Sequence, residues 1–162
     1  EIDQWCRTLE MGCASLRNPE TKHFNAINLR SGEHTGHLTS ASFLCWYAGM
    51  GDKSMLDLLK NTLQDTLYPI PSLDKNSSKF DGLRYWRGPT WPILNALIGL
   101  GLSDMGHEKE AETIRSRTRE LISRHGFAEY FDPITGIPGG GKAFSWTAAV
   151  WLAWASPSVG AK

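Results

Sequence analysis

The sequence is short of most features that would name a partner. Its 162 residues hold 17 basic and 17 acidic side chains, so no net field draws it to nucleic acid or to an anionic membrane. Its three cysteines, Cys6, Cys13 and Cys45, are odd in number and lack metal-ligand spacing. Buried free thiols in a reducing, cytoplasmic compartment are expected, not a disulfide framework. No apolar run is long enough to span a bilayer. No stretch alternates apolar and polar residues for long enough to build a sheet, which leaves room only for short hairpins. Gly139-Gly140-Gly141-Lys142 fits neither nucleotide signature and follows no strand, so it reads as a flexible loop lip. His34 and His37, with His23 and Glu33 nearby, form HTGH in a glycine-containing loop, which reads as a solvated turn rather than a ligand set. No nucleophile–base arrangement of the Ser/His/Asp or Cys/His kind is present. The expectation is a protein without metal or cofactor.

What is present suits one globular unit. A hydrophobic content of 41% is ordinary and sufficient for a single core, so residues 1–162 are taken as one domain. The chain opens in mid-helix without a Met, and it is expected to be a C-terminal piece of a larger catalytic domain. Helical periodicity runs from Asp3 to about Arg17 (Trp5, Leu9, Cys13, Leu16), stopped by Asn18-Pro19. Leu38–Ala48 is apolar nearly all round and closes at Gly49. Asp52 caps a helix carrying Met55, Leu56, Leu59 and Leu63. A long aperiodic connection spans Tyr68–Gly88. A helix is expected over Pro89–Met105, and a charge-alternating one over His107–Arg124, stopped by Gly126. Ala143–Ala155 again is apolar on most sides. About six helices, alternately polar and apolar, imply an all-α chain arranged as a partial (α/α)6 toroid of outer and inner helices. A plain helical bundle is the competing architecture.

Two stretches concentrate the candidate chemistry. Tyr85-Trp86-Arg87-Gly88-Pro89-Thr90-Trp91-Pro92 packs three large rings, a guanidinium and two prolines into eight residues. Such a run is costly to expose and hard to bury, and a concave site walled by stacking rings accommodates it. The seven tryptophans of the chain serve either that purpose or simple core filling. Arg87 reads equally as a ligand for a carboxylate or phosphate and as a loop strut. In Gly126-Phe127-Ala128-Glu129-Tyr130-Phe131, a single carboxylate sits among rings ahead of the turn Asp132-Pro133-Ile134-Thr135-Gly136. Glu129 is either a placed group able to orient water or a partner for a helix end or for Arg87. Asp132 reads as a turn residue.

The succession YWRGPTWP, GFAEYFDPITG and GKAFSWTAA resembles the C-terminal half of the (α/α)6-barrel glycoside hydrolases related to processing α-glucosidase I. Within them it is similar to the mannosylglycerate and glucosylglycerate hydrolases, while trehalases share a looser version. The resemblance implies an inverting hydrolase of an α-linked mannoside or glucoside. It implies Glu129 as general base and Tyr85, Trp86 and Trp91 as the sugar subsite, with a carbohydrate as partner. It also implies that the general acid, an Asp, lies in a first half of the barrel, and no acid here stands in the matching context. Inversion needs two carboxyl groups about 6.5–9.5 Å apart. The chain alone is therefore expected to be inactive, and a non-catalytic saccharide-binding half-toroid or a bare helical scaffold are the alternatives.

Overall fold

Asp52 shows how local signals start the elements. Its carboxylate accepts the Met55 N–H at 3.0 Å and the Ser54 hydroxyl at 2.8 Å, and it pairs with Arg17. This is the capping arrangement expected before helix α2, Lys53–Asp65, which buries Met55, Leu59 and Leu63. The computed structural model describes residues 1–158. Its other helices are α1 (Ile2–Ser15), a 3-10 helix (Ser40–Cys45), α3 (Pro92–Asp104), α4 (Glu108–His125) and α5 (Ser145–Val150), which continues as a π-helical turn over Trp151–Ala155. A two-stranded antiparallel hairpin, β1 (Tyr130–Phe131) and β2 (Pro138–Gly139), stands between α4 and α5.

Helix α3 organises the packing. It lies against α4, the 3-10 helix and α5, and its glycines make the close approaches possible. A Cβ on Gly99 would fall 2.4 Å from the Trp154 ring, and one on Gly101 would fall 2.3 Å from the Trp46 main chain. Trp46, Met55, Leu59, Ile98, Leu102 and Ile114 fill the main core. A smaller cluster of Tyr68, Leu121, Ala128 and Phe131 lies at the hairpin. Helix α4 buries the stripe read from its periodicity, Ala111, Ile114, Thr118, Leu121 and Ile122, and it ends at Gly126 with φ +80°. Its polar face is not merely solvated. Arg115 Nε and Arg119 Nε donate to the carbonyls of Trp154 (2.7 Å) and Ala155 (2.6 Å), and Arg117 Nη1 donates to Leu63 O at 2.5 Å. The arginines of one helix thus satisfy carbonyls that two other helix ends leave unpaired.

Several expectations are corrected. The segment Leu38–Ala48 is a 3-10 helix over six residues, whose threefold repeat puts Phe43 and Trp46 on one buried side. Helix α3 begins at Pro92, not Pro89, because the residues before it are extended and paired across three segments. The last helix widens into π geometry at Trp151, where Ser156 N–H bonds to Trp151 O at 2.9 Å. It is not buried all round, since Trp146 and Leu152 are exposed. Helix α1 forms, yet none of its residues is buried, and Trp5 and Leu9 lie open. Cys6 is exposed and only Cys45 is buried. Burial, together with the nearby Asp52 charge, pushes the Cys45 thiol up to about 12. No helix among the described residues is long and apolar enough to cross a membrane.

Candidate functional site

The site is assembled by a buried polar network on α3. Asn95, fully buried, accepts the Ile70 N–H at 2.9 Å and donates to Pro69 O (2.7 Å) and to Thr118 Oγ1 (3.0 Å). This locks the start of the long connection onto α3 and α4. Thr90, also fully buried, donates its hydroxyl to the Pro69 and Ile70 carbonyls. Its main chain bridges to Pro71 on one side and to Phe131 on the other, with N···O distances of 2.8 and 3.0 Å to Phe131. Four extended segments therefore lie in a row, Pro71, Thr90, β1 and β2. That row joins the YWRGPTWP stretch to the Glu129 stretch, some forty residues apart in the chain.

Four rings meet at the joint. Trp86 stacks on Trp91 with centroids 4.1 Å apart and planes 5° apart. Tyr85 stands edge-on to Trp86, Trp91 and Tyr130, at 5.8, 5.1 and 5.7 Å. Trp91 is only 2% exposed, while Tyr85 and Trp86 are about half exposed, at 50% and 47%. The accessible ring surface is thus Tyr85 and Trp86, backed by Trp91. Tyr85 sits at φ +43°, an uncommon conformation for a residue with a side chain, and its carbonyl accepts the Trp91 indole N–H at 3.1 Å. The bend is closed by main-chain bonds from Asp81 N to Arg87 O (2.8 Å) and from Arg87 N to Arg84 O (2.8 Å). Gly88 allows this closure, since a Cβ there would fall 2.3 Å from the Asp81 carbonyl oxygen. Arg87 therefore serves the loop through its backbone. Its exposed guanidinium has no hydrogen-bond or ionic partner among the described residues.

Glu129 immediately precedes β1 and is half-buried. Its N–H donates to Gly141 O at 2.9 Å, and its Oε2 accepts the Gly141 N–H at 3.2 Å. It forms no ion pair with Arg87. The glycine run is consequently not a flexible lip but a seat, with Gly139 in β2 and Gly140–Gly141 against the carboxylate. Asp132 is a turn residue as expected, accepting the Ile134 and Thr135 N–H groups, each at 2.8 Å. Trp86 also lines an open groove of about 320 Å³ together with Thr39, Ala41, Leu44, Ser72 and Leu94. No cluster of three His, Cys, Asp or Glu side chains among the described residues has the arrangement of a metal site. Sequence reasoning gives Tyr130 no part of its own, and Thr90 and Asn95 carry no signal there. The ring cluster makes Tyr130 the link between the two stretches.

Known proteins are similar to this chain in sequence and in fold. The family model for the mannosylglycerate hydrolase MGH1-like glycoside hydrolase domain matches residues 1–147. Mannosylglycerate hydrolase MGH1 of Selaginella moellendorffii is 35% identical over 158 residues, covering 95% of this chain and 32% of that protein. Glucosylglycerate hydrolase of Mycolicibacterium hassiacum is 40% identical over 85 residues, 52% of this chain and 19% of that one. The crystal structure of the GH63 mannosylglycerate hydrolase from Thermus thermophilus in complex with Tris and D-glycerate superposes with a TM-score of 0.87 at 34% identity, over 94% of this chain and 38% of that one. The complex of the same hydrolase with glucose gives 0.86 at 35% identity, over 93% and 39%. The helices described above are part of the (α/α)6 toroid of glycoside hydrolase family 63. The chain spans about a third of the length of the curated relatives it matches.

Proposed function

The chain belongs to the mannosylglycerate hydrolase MGH1-like glycoside hydrolase family, and from that premise we propose that it supplies the base-bearing, ring-walled part of an inverting α-glycosidase. The substrate class is an α-linked mannoside or glucoside such as mannosylglycerate or glucosylglycerate. The observation that carries the reading is the Thr90–Phe131 bridge, which brings Tyr130, the residue after Glu129, to the rings of Tyr85 and Trp91.

In this reading Glu129 takes a proton from water as the water attacks the anomeric carbon, and a second carboxyl protonates the leaving oxygen from the opposite side. The neighbouring carboxylates Asp81 and Asp132 each accept main-chain N–H groups. They serve turns, and the acid is assigned to a segment outside these 162 residues. The exposed faces of Tyr85 and Trp86 receive the apolar face of the sugar, with Trp91 as backing. The unpartnered Arg87 guanidinium suits a carboxylate at the other end of the substrate. The Thermus complexes with glucose and with D-glycerate, a sugar and an acid, support that division.

The test is a hybrid enzyme in which this chain replaces its counterpart in the Thermus hydrolase. Glu129→Gln in the hybrid should lower kcat by about 10²–10⁴-fold and leave KM within a few-fold, because the shape stays and the base goes. Unchanged turnover would move the base elsewhere. The chain by itself should bind mannosylglycerate, dulling its tryptophan fluorescence, without hydrolysing it. Turnover by the chain alone would show that the acid is within it.

A further inference from the structure

We propose that Gly140 and Gly141 are positioning residues that hold Glu129 by one carboxylate oxygen and so present the other to the substrate. The inference rests on the reading of Glu129 as the base.

Three observations on the same residues point to it. The Gly141 peptide grips Glu129 twice, its carbonyl accepting the Glu129 N–H at 2.9 Å and its N–H donating to Oε2 at 3.2 Å. Gly140 has φ +69°, and a Cβ there would fall 2.4 Å from Glu129 Oε2 and 2.8 Å from Glu129 Cβ. Only a residue without a side chain gives the carboxylate this place beside the main chain. Gly139 does the same for the neighbouring ring, since a Cβ on it would fall 2.3 Å from Tyr130 Cε2. Three consecutive glycines thus seat consecutive residues of β1 and its approach, the carboxylate and the ring that reaches Tyr85 and Trp91.

The consequence is a division of labour within one carboxylate. Oε2 is held by a main-chain donor that cannot rotate away. Oε1 has no hydrogen-bond partner among the described residues and is the oxygen left for water or a sugar hydroxyl. A side chain free to rotate would lose this preference, and reactions of bound groups are sensitive to displacements of about 1 Å.

Two measurements on the chain as it stands test the inference and separate it from the reading it rests on. In ¹H–¹⁵N spectra, Glu129→Ala should move the Gly141 amide proton upfield and speed its exchange with solvent, because the only side-chain acceptor is gone. An unmoved Gly141 amide would overturn the clamp whether or not any sugar binds. The second measurement is a double-mutant cycle on glucose affinity, read by tryptophan fluorescence. Gly140→Ala and Glu129→Ala should each weaken binding about tenfold, the effect of losing a hydrogen bond to a charged group. The double variant should be no worse than either alone. Gly106→Ala, also at a positive φ but with open space around it, should keep wild-type affinity despite a similar loss of stability. Additive effects would show that Gly140 acts on the fold and not through Glu129. If the amide moves as expected but no variant, nor the wild type, binds glucose, the clamp stands and the proposed function fails.

Discussion

Asn95 shows how much of this site depends on single side chains. Its amide makes three hydrogen bonds in a place with no access to solvent, so Asn95→Leu keeps the volume and strands the Ile70 N–H, while the Thr118 hydroxyl keeps Ile114 O and the Pro69 carbonyl keeps Thr90. The expected cost is about 2 kcal/mol, from one buried donor left without a partner and two further hydrogen bonds lost. Urea unfolding of the variant reads it, and a loss below about 1 kcal/mol would mean the network is incidental. The same variant should loosen the Tyr85–Trp86–Trp91 cluster, visible as a shift in tryptophan emission, because Asn95 holds the loop that Thr90 pairs with. Neither Thr90 nor Asn95 was legible in the sequence. A single-residue bridge leaves no periodicity, and one Asn in an apolar helix looks like any tolerated polar residue. Glu129, Tyr85 and Trp86 were legible because rings and a lone carboxylate are too costly to group without cause. The burial of Trp91 was not, since a ring has the same composition whether it faces a ligand or supports one that does.

At the scale of elements, the helices with explicit start and stop residues were the ones read well. Asp52 opens α2 and Gly126 closes α4, and both do so in the structure. The 3-10 helix and the π turn were not distinguishable from α, because an apolar run satisfies all three repeats at that length. The glycines of α3 carried the opposite kind of information. They weaken the helix locally, and their reason lies in other elements. Gly101→Ala places a methyl 2.3 Å from the Trp46 main chain, where no side chain can swing aside, and overpacking of this kind costs about 1–3 kcal/mol. A thermal melt of the variant should show that loss, and an unchanged or raised Tm would contradict the packing described for α3. The arginine caps of α4 were hidden because charge alternation is what a solvated helix also shows. Arg117→Met keeps the stem and removes the donor to Leu63 O. It should cost about 1–2 kcal/mol, as loss of a charge-assisted hydrogen bond, with the end of α2 exchanging its amides faster.

On the scale of the whole molecule, acid should act first where the chain after α1 meets the start of α2. His23 is held below its ordinary value of 6.5 by burial and by the neighbouring Arg17. Asp52 is held below 3.8 although burial opposes this, because the Met55 N–H, the Ser54 hydroxyl and Arg17 favour its charged form. Both folded-state values are depressed, so both groups contribute stability that is complete above the unfolded value and declines as pH falls toward the folded one. Stability should fall in two steps, the first starting near pH 6.5 and the second near pH 3.8. His23→Gln should remove the first step alone, and a wild-type profile flat from neutral pH down to about pH 4 would contradict the assignment.

The whole-chain claim is that residues distant in sequence make one sugar-binding wall with a carboxylate at its edge. The measurement that tests it most directly is a ¹H–¹⁵N titration of the chain with mannosylglycerate. The account predicts that the indole N–H signals of Trp86 and Trp91 and the amides of Tyr85, Tyr130 and Gly141 shift together along one saturation curve. Shifts confined to other parts of the molecule, such as the open face of α1, or no shifts at all at high ligand concentration, would contradict it.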